Sequence, residues 1–257
     1  MRIAFTIIYD GLHHLKHNDF ASFMVKNFDH WIVIEGHARA GGSTSWCKNL
    51  GKPQRSTDGT HEFMMDLCEQ NQNVHYYSPG VYWKSKDAQV NEAILTAKLI
   101  TNSCFLWQVD CDEQFEASDL TLAENELTES GSNAGAFQFY HLLGKDGLGR
   151  QLIGKGNWGD NWHTRLWLWK GEKFITHEPP VIENQKPVAH LSPKYHHYSY
   201  CFEESVRFKE MYYGYKGLLE NWRRLRSFKG DFPQPVTLLL GKTNRHVPKN
   251  SFIDIYS

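Results

Sequence analysis

Residues 104–116 read Cys-Phe-Leu-Trp-Gln-Val-Asp-Cys-Asp-Glu-Gln-Phe-Glu. An apolar run (Phe105, Leu106, Trp107, Val109) ends in Asp110 and Asp112, one residue apart, with Glu113 directly after. A short apolar run closed by polar residues predicts a buried strand. Alternate residues of a strand share a side, so the spacing turns both carboxylates toward one object just past the sheet. Clustered carboxylates with no softer donor nearby suit a hard divalent ion, Mg²⁺ or Mn²⁺, whose shell is completed by substrate phosphates and water. The carboxyl end of a strand in an α/β sheet is also where phosphorylated ligands bind. Thirteen Asp in 257 residues would yield about 0.7 Asp-x-Asp pairs by chance. An acidic turn after a strand is the ordinary alternative, so the surroundings decide.

Upstream, strand and helix patterns alternate. Ile3–Tyr9 predicts a strand ending in Tyr9-Asp10-Gly11, and Asn18-Asp19 opens a short helix with Phe20, Phe23, Met24 and Phe28 on one side. Trp31–Glu35 predicts a second strand, followed by a long polar Gly/Ser loop over 37–57. Asp58 or Thr60 caps the next helix, Val74–Tyr77 is a third strand, and Lys86–Asn102 is a helix with Val90, Ala93, Ile94, Ala97 and Ile100 inward. Such alternation predicts an α/β fold, a mainly parallel twisted sheet flanked by helices. Past Asp119 the pattern is mixed. A short helix over 118–128, strands over 134–143 and 164–169, a glycine-rich loop between them, and one strong helix over 205–226 are expected. No linker separates the halves, so residues 1–257 read as a single domain with a 1–120 half and a 121–257 half.

Composition narrows the classes. Length allows an ample core, and 40% hydrophobic with 22% charged residues is ordinary for a globular chain. A formal charge of −1 gives no bulk electrostatic case for nucleic acid or an anionic membrane. No apolar stretch approaches a membrane span, and Met1 leads almost directly into the first strand, so neither a span nor a signal peptide is expected. Five scattered cysteines without a C-x-x-C pair argue against a disulfide framework or zinc site and for a reducing, cytoplasmic location. Cys111, between the two aspartates, is expected to point inward. Nine Trp, twelve Tyr and fifteen Phe are an aromatic excess that a carbohydrate site would use, although most such rings serve cores.

The ordered set of strand, Gly/Ser loop, helix with Asn91-Glu92-Ala93, and strand ending Trp107-Gln108-Val109-Asp110-Cys111-Asp112-Glu113 resembles the nucleotide-sugar-binding half of GT-A-fold glycosyltransferases, particularly family-2-like members. The resemblance covers residues 1–120, and more weakly 137–169 and His196-His197-Tyr198-Ser199-Tyr200. It implies a Rossmann-like nucleotide-binding half, a mixed acceptor-side half and a C-terminal helical segment. By that resemblance Tyr9, Asp10 and Gly11 border the base and ribose, and Glu35 contacts the base or ribose hydroxyls. Lys86 and Asn91 flank the base and diphosphate. Asp110 and Asp112 form the metal motif, with Asp112 the direct ligand, and His197 or its neighbour His196 completes the shell. The chain departs from the family in lacking an Arg before that Asn, where Gln89 and Val90 stand.

The implied activity is metal-dependent transfer of a sugar from a nucleoside-diphosphate donor, UDP or GDP type, to a carbohydrate or glycoconjugate acceptor hydroxyl, with Mn²⁺ or Mg²⁺. An inverting reaction needs a general base. Asp160, in a loop with Trp158 and Trp162, is the first candidate, with Glu113 and His163 as substitutes; the stereochemistry stays open. Two other classes compete. A metal-dependent phosphohydrolase or nucleotidyltransferase would use Asp110 and Asp112 with His190, His196 and His197, but these histidines lack a compact helical pair. A non-catalytic carbohydrate-binding protein would use the aromatics, but such modules are usually all-β.

Overall fold

The computed structural model describes residues 1–158, 161–241 and 249–257. Among these the strands are β1 (Arg2–Ile8), β2 (His30–Glu35), β3 (Val74–Tyr77), β4 (Cys104–Gln108), β5 (Glu113–Gln114) and β6 (Ala134–Lys145). They continue with β7 (Gln151–Gly156), β8 (His163–Trp169), β9 (Phe174–His177), β10 (Pro180–Ile182), β11 (Ala189–His197), β12 (Gln234–Pro235) and β13 (Ser251–Ile255). The chain divides into two compact units. The first takes Met1–Phe137 and His163–Pro193, the second Gln138–Trp162 and Lys194–Ser257. This boundary differs from a cut at residue 120, because β8 returns to pair with β4 and carries the following segment with it. Among the described residues no helix is long and apolar enough to cross a membrane.

In the first unit β3, β2, β1 and β4 lie side by side in that order and all run parallel. The antiparallel β8 joins at β4, and Ala134–Phe137 of β6 pair with β8. The mainly parallel sheet with flanking helices expected from the alternation is therefore present. Strand alternation sends Ile3 and Phe5 to one face, where they pack with Val90, Ala93, Ile94 and Ala97 of the helix Lys86–Ile100. The larger of these, Ile3, Phe5, Val90 and Ile94, each contribute about 1.5–3 kcal/mol by burial. On the other face the rings of Phe20 and Trp31 meet edge-on at 5.9 Å and those of Phe28 and Trp107 at 6.3 Å. Ser85 starts the helix Lys86–Ile100 by accepting a hydrogen bond from the Ala88 amide at 3.2 Å.

In the second unit β12, β13, β7 and the remainder of β6 form an antiparallel array. Leu143, Leu152, Trp158, Trp222, Leu225 and Ile253 belong to its core. Two expectations are corrected here. The glycine-rich stretch after residue 143 contains a strand, β7, whose Leu152 and Ile153 are buried. The single helix over 205–226 is two, Glu203–Tyr213 and Leu218–Arg226, because Gly214 and Gly217 both adopt left-handed backbone, at φ 71° and 72°. Glycine enters that region without steric cost and ends a helix there.

Candidate active site

The order β3-β2-β1-β4 places a topological switch point between β1 and β4: the chain fills one side of β1 first and then crosses to the other. Ligands of open α/β sheets bind beyond the carboxyl ends of the strands at such a point. Tyr9-Asp10-Gly11 leaves β1 there, and Asp110-Cys111-Asp112 leaves β4 beside it. The two turns are in contact, since a Cβ built on Gly11 would lie 3.3 Å from the Cys111 sulfur and 2.7 Å from Ile8. Burial pushes the Cys111 thiol well up, reinforced by Asp112 and Asp110 on either side, so it stays an uncharged packing group. A further bond, from Thr6 Oγ1 to the Val109 carbonyl at 2.6 Å, ties β1 to the root of the acidic turn.

Asp110 and Glu113 close a tight turn in which the Glu113 amide donates to the Asp110 carbonyl at 2.9 Å. Glu113 is fully buried. Its carboxylate accepts from Arg165 Nε at 2.9 and 3.0 Å and from Nη2 at 2.7 Å, and the same Nη2 reaches Asp110 Oδ2 at 3.2 Å. Arg165 therefore bridges the two acids. Its position has a local cause. Against β6, Ala136 pairs with Thr164 and Gly135 with Leu166, leaving Arg165 as the extra residue of a bulge. Bulges re-aim a side chain, and here the strand delivers a guanidinium to the acidic turn. Glu113, the substitute candidate for the general base, is buried and held bidentately by a permanent cation, so it is not available to accept an acceptor proton. Arg165 was not anticipated, although it is the one charged residue in the apolar stretch Thr164–Trp169.

Tyr9, Asp10 and Glu35, expected at the base and ribose, make hydrogen bonds to the loop after β2. Asp10 accepts from Lys52 Nζ at 2.7 Å and from the Thr57 amide at 2.8 Å. The Tyr9 hydroxyl donates to the Pro53 carbonyl at 3.0 Å, and its ring stacks on His37 at 4.9 Å. Glu35 is fully buried and accepts from the Ser56 amide at 2.6 Å, the Ser56 hydroxyl at 2.7 Å and the Ser78 hydroxyl at 2.5 Å. Its three donors give it an anchoring task, holding residues 52–57 over the ends of β1 and β2. Burial, then the charges of Asp10 and Glu35, push the Tyr9 phenol up, so it remains a neutral hydrogen-bond donor.

A second polar knot joins three distant segments. Asp87, in the first turn of its helix, accepts from the Ser43 hydroxyl, from the Ser43 amide at 2.8 Å and from the His177 amide at 2.7 Å. The Ser43 oxygen also accepts from the Glu178 amide at 3.1 Å. Burial raises the Asp87 carboxyl, but the hydrogen bonds from Ser43 and His177 outweigh it and hold the group below the ordinary carboxylate range. Gly42 is required here: at φ +55° its position would put a Cβ 1.8 Å from Asp87 Oδ2. Asn91, expected beside the diphosphate, pairs through both ends of its amide with the Phe174 backbone at 2.9 Å and so docks β9. Lys86 is half-buried at the start of the helix. His177 is buried, and its imidazole is pushed down to about 3 by burial and by the Lys86 charge, with Arg165 adding to the effect.

His163 begins β8, two residues before Arg165, and is half-buried. His197 belongs to the second unit, where its ring packs edge-on against Phe139 at 5.3 Å and His141 at 5.2 Å. His196 in the same unit bonds the Tyr256 hydroxyl at 2.8 Å. Asp160 lies outside the described residues. Among the described residues no group of three or more His, Cys, Asp or Glu side chains is gathered for a metal ion. The acidic turn offers two carboxylates, Asp110 with a single long contact to Gln108 Nε2 (3.4 Å) besides Arg165, and Asp112 half-buried. An oxygen-only pair fits Mg²⁺ or Mn²⁺ whose remaining ligands come from phosphate and water.

No family model and no curated protein sequence matches the chain. Among solved structures, the crystal structure of S. aureus TarS 1-349 gives a TM-score of 0.42 at 12% identity, covering 81% of this chain and 64% of that one. The chain thus spans just under two thirds of that structure's length. The crystal structure of 4-diphosphocytidyl-2C-methyl-D-erythritol synthase gives a TM-score of 0.35 at 13% identity, covering 65% of this chain and 74% of that one. Similarities of this size carry no argument about activity, which rests on the site's own residues.

Proposed function

We propose that the protein is a GT-A-like glycosyltransferase that draws a sugar from a nucleoside-diphosphate donor of UDP or GDP type and passes it to a hydroxyl of a carbohydrate or glycoconjugate. One observation carries the reading: Asp110 and Asp112 leave β4 beside β1 at the switch point, with the buried Arg165 cation against Asp110. Asp112 and the outer oxygen of Asp110 would hold Mn²⁺ or Mg²⁺. When bound, the ion supplies Lewis-acid stabilisation of charge developing on the departing diphosphate.

The chain's own residues do the rest. Arg165, always protonated, orients Asp110 and offsets the charges of Asp110 and Glu113. Lys86 and the amino end of the helix Lys86–Ile100 add positive potential to the site. In an inverting transfer the acceptor oxygen bonds to the anomeric carbon while the bond from that carbon to the phosphate oxygen breaks. The electron pair leaves with the nucleoside diphosphate, and the acceptor proton passes to a carboxylate, assigned to Asp160 on the composition of its loop.

The test is a thermal-shift panel of UDP- and GDP-sugars with and without Mn²⁺, on wild type and Asp112→Ala. The expected result is stabilisation by one nucleotide family, dependent on metal and lost in the variant. Stabilisation by free oligosaccharide alone would replace the transferase with a lectin, and phosphate release without any acceptor would replace it with a phosphohydrolase.

A further inference from the structure

His30 opens β2, and His75 is the second residue of β3, the outer strand at that end of the sheet. Ile32 pairs with His75 across the parallel strands, so His30, Ile32 and His75 project to one face. His30 Nδ1 and His75 Nε2 lie 3.0 Å apart, with ring centroids at 5.2 Å and planes inclined by 40°. The rings therefore meet through these two nitrogens and do not stack. Both side chains are half-buried, so the pair is partly open to solvent. In the metal-free pair, one neutral ring donates a hydrogen bond to the other. Burial, then the neighbouring His30, hold the His75 imidazole below its ordinary value, which keeps it in the neutral form that metal ions bind.

We propose that His30 and His75 form a metal site apart from the acidic turn, for a divalent ion of the Zn²⁺ or Cu²⁺ class that clips the short strand β3 to β2. The spacing fits. Two imidazole nitrogens at about 2.0–2.1 Å from one ion, at angles between square-planar and tetrahedral, lie about 2.9–3.4 Å apart. The proton shared by the rings moves to the far nitrogen of the ring that carries it, so both facing nitrogens present lone pairs and no net proton is lost. Nitrogen donors select such ions over Mg²⁺ and Mn²⁺, which prefer oxygen. Among the described residues no third His, Cys, Asp or Glu completes the set, so water fills the remaining positions. Strand β3 is four residues long and, among the described residues, has β2 as its strand neighbour, so the ion adds a tie at the edge of the sheet. His30 and Glu35 begin and end β2, about 16 Å apart along the strand. The pair thus sits at the opposite end of the sheet from the acidic turn, and the inference does not depend on the transferase reading.

The test is a series of melting curves over a range of Zn²⁺ concentrations on the full chain, as wild type, His30→Gln, His75→Gln and Asp112→Ala, with pulsed EPR of Cu²⁺ at one equivalent. Zn²⁺ should raise the melting temperature of wild type in a concentration-dependent way, and that of Asp112→Ala alike. Each glutamine variant should need at least about 10-fold more Zn²⁺ for the same rise. The EPR signal should show two imidazole ligands in wild type and fewer in either glutamine variant. Glutamine variants that respond to Zn²⁺ as wild type does overturn the proposal, as does a wild type that gives no response. A response lost in Asp112→Ala but kept in the glutamine variants places the ion at the acidic turn and overturns it too. Should a glutamine variant not fold, wild-type EPR with one imidazole or none overturns the site by itself.

Discussion

Single residues at this site are governed by what burial does to charge. Arg165 and Glu113 are both inside, and each makes the other tolerable. Removing one partner of a buried pair leaves an uncompensated charge and costs about 3–5 kcal/mol, whereas replacing both with apolar groups is often neutral. Arg165→Met should therefore shift the urea midpoint strongly downward, and Arg165→Met with Glu113→Leu should recover most of the loss; a double variant as unstable as the single would show that the pair is not the source. His177 sets a pH dependence. Its folded value of about 3 lies below the ordinary 6.5, so below pH 6.5 the unfolded chain binds a proton that the folded one refuses. Stability is then full above pH 6.5 and falls as pH drops toward 3, with a limiting slope of about 1.4 kcal/mol per pH unit from this group. His177→Phe should flatten that slope in melts between about pH 4 and about pH 6.5, leaving the part due to His17, His37 and His75, which are also held low, chiefly by burial.

At the scale of elements, the loop after β2 is held by side chains rather than by secondary structure. Ser56 gives two hydrogen bonds to the buried Glu35, and Asp10 holds Lys52 and Thr57. Ser56→Ala removes the hydroxyl donor from an enclosed carboxylate and should cost about 1–3 kcal/mol. Limited proteolysis should then cut within residues 48–57 faster than in wild type, and an unchanged cleavage rate would show that the latch lies elsewhere. The same loop carries Gly42, whose left-handed backbone lets Ser43 reach Asp87. Gly42→Ala should break that contact through steric overlap, with a larger stability loss than Ala at Gly51, where a Cβ meets nothing within 4 Å. Parallel strands and the helix Lys86–Ile100 were legible because their periodicities are local and long. The helix break at Gly214 and Gly217 was hidden by an apolar stripe that runs through both pieces, and β7 by glycines that suggest a loop.

Over the first unit as a whole, the strand order places the candidate site, since a sheet whose order reverses at β1 sets the carboxyl ends of β1 and β4 side by side. If that site takes a nucleotide with its metal, Asp112→Ala should lose the metal-dependent thermal shift while keeping the wild-type melting temperature without ligand. Asp160→Asn should lower kcat by about 10²- to 10⁴-fold while leaving nucleotide affinity intact; unchanged turnover would remove Asp160 from the role of base. The amino-acid order by itself determined the buried strands, the helices between them and the acidic turn at residues 110–113, because each follows from side-chain period and neighbours a few positions apart. Only the tertiary structure decided what that turn touches. Arg165 arrives from 55 residues beyond Asp110, and His177 meets Asp87 across 90. Such contacts come from strand pairing and a bulge, and no local spacing encodes which distant charge a folded sheet will bring to a carboxylate.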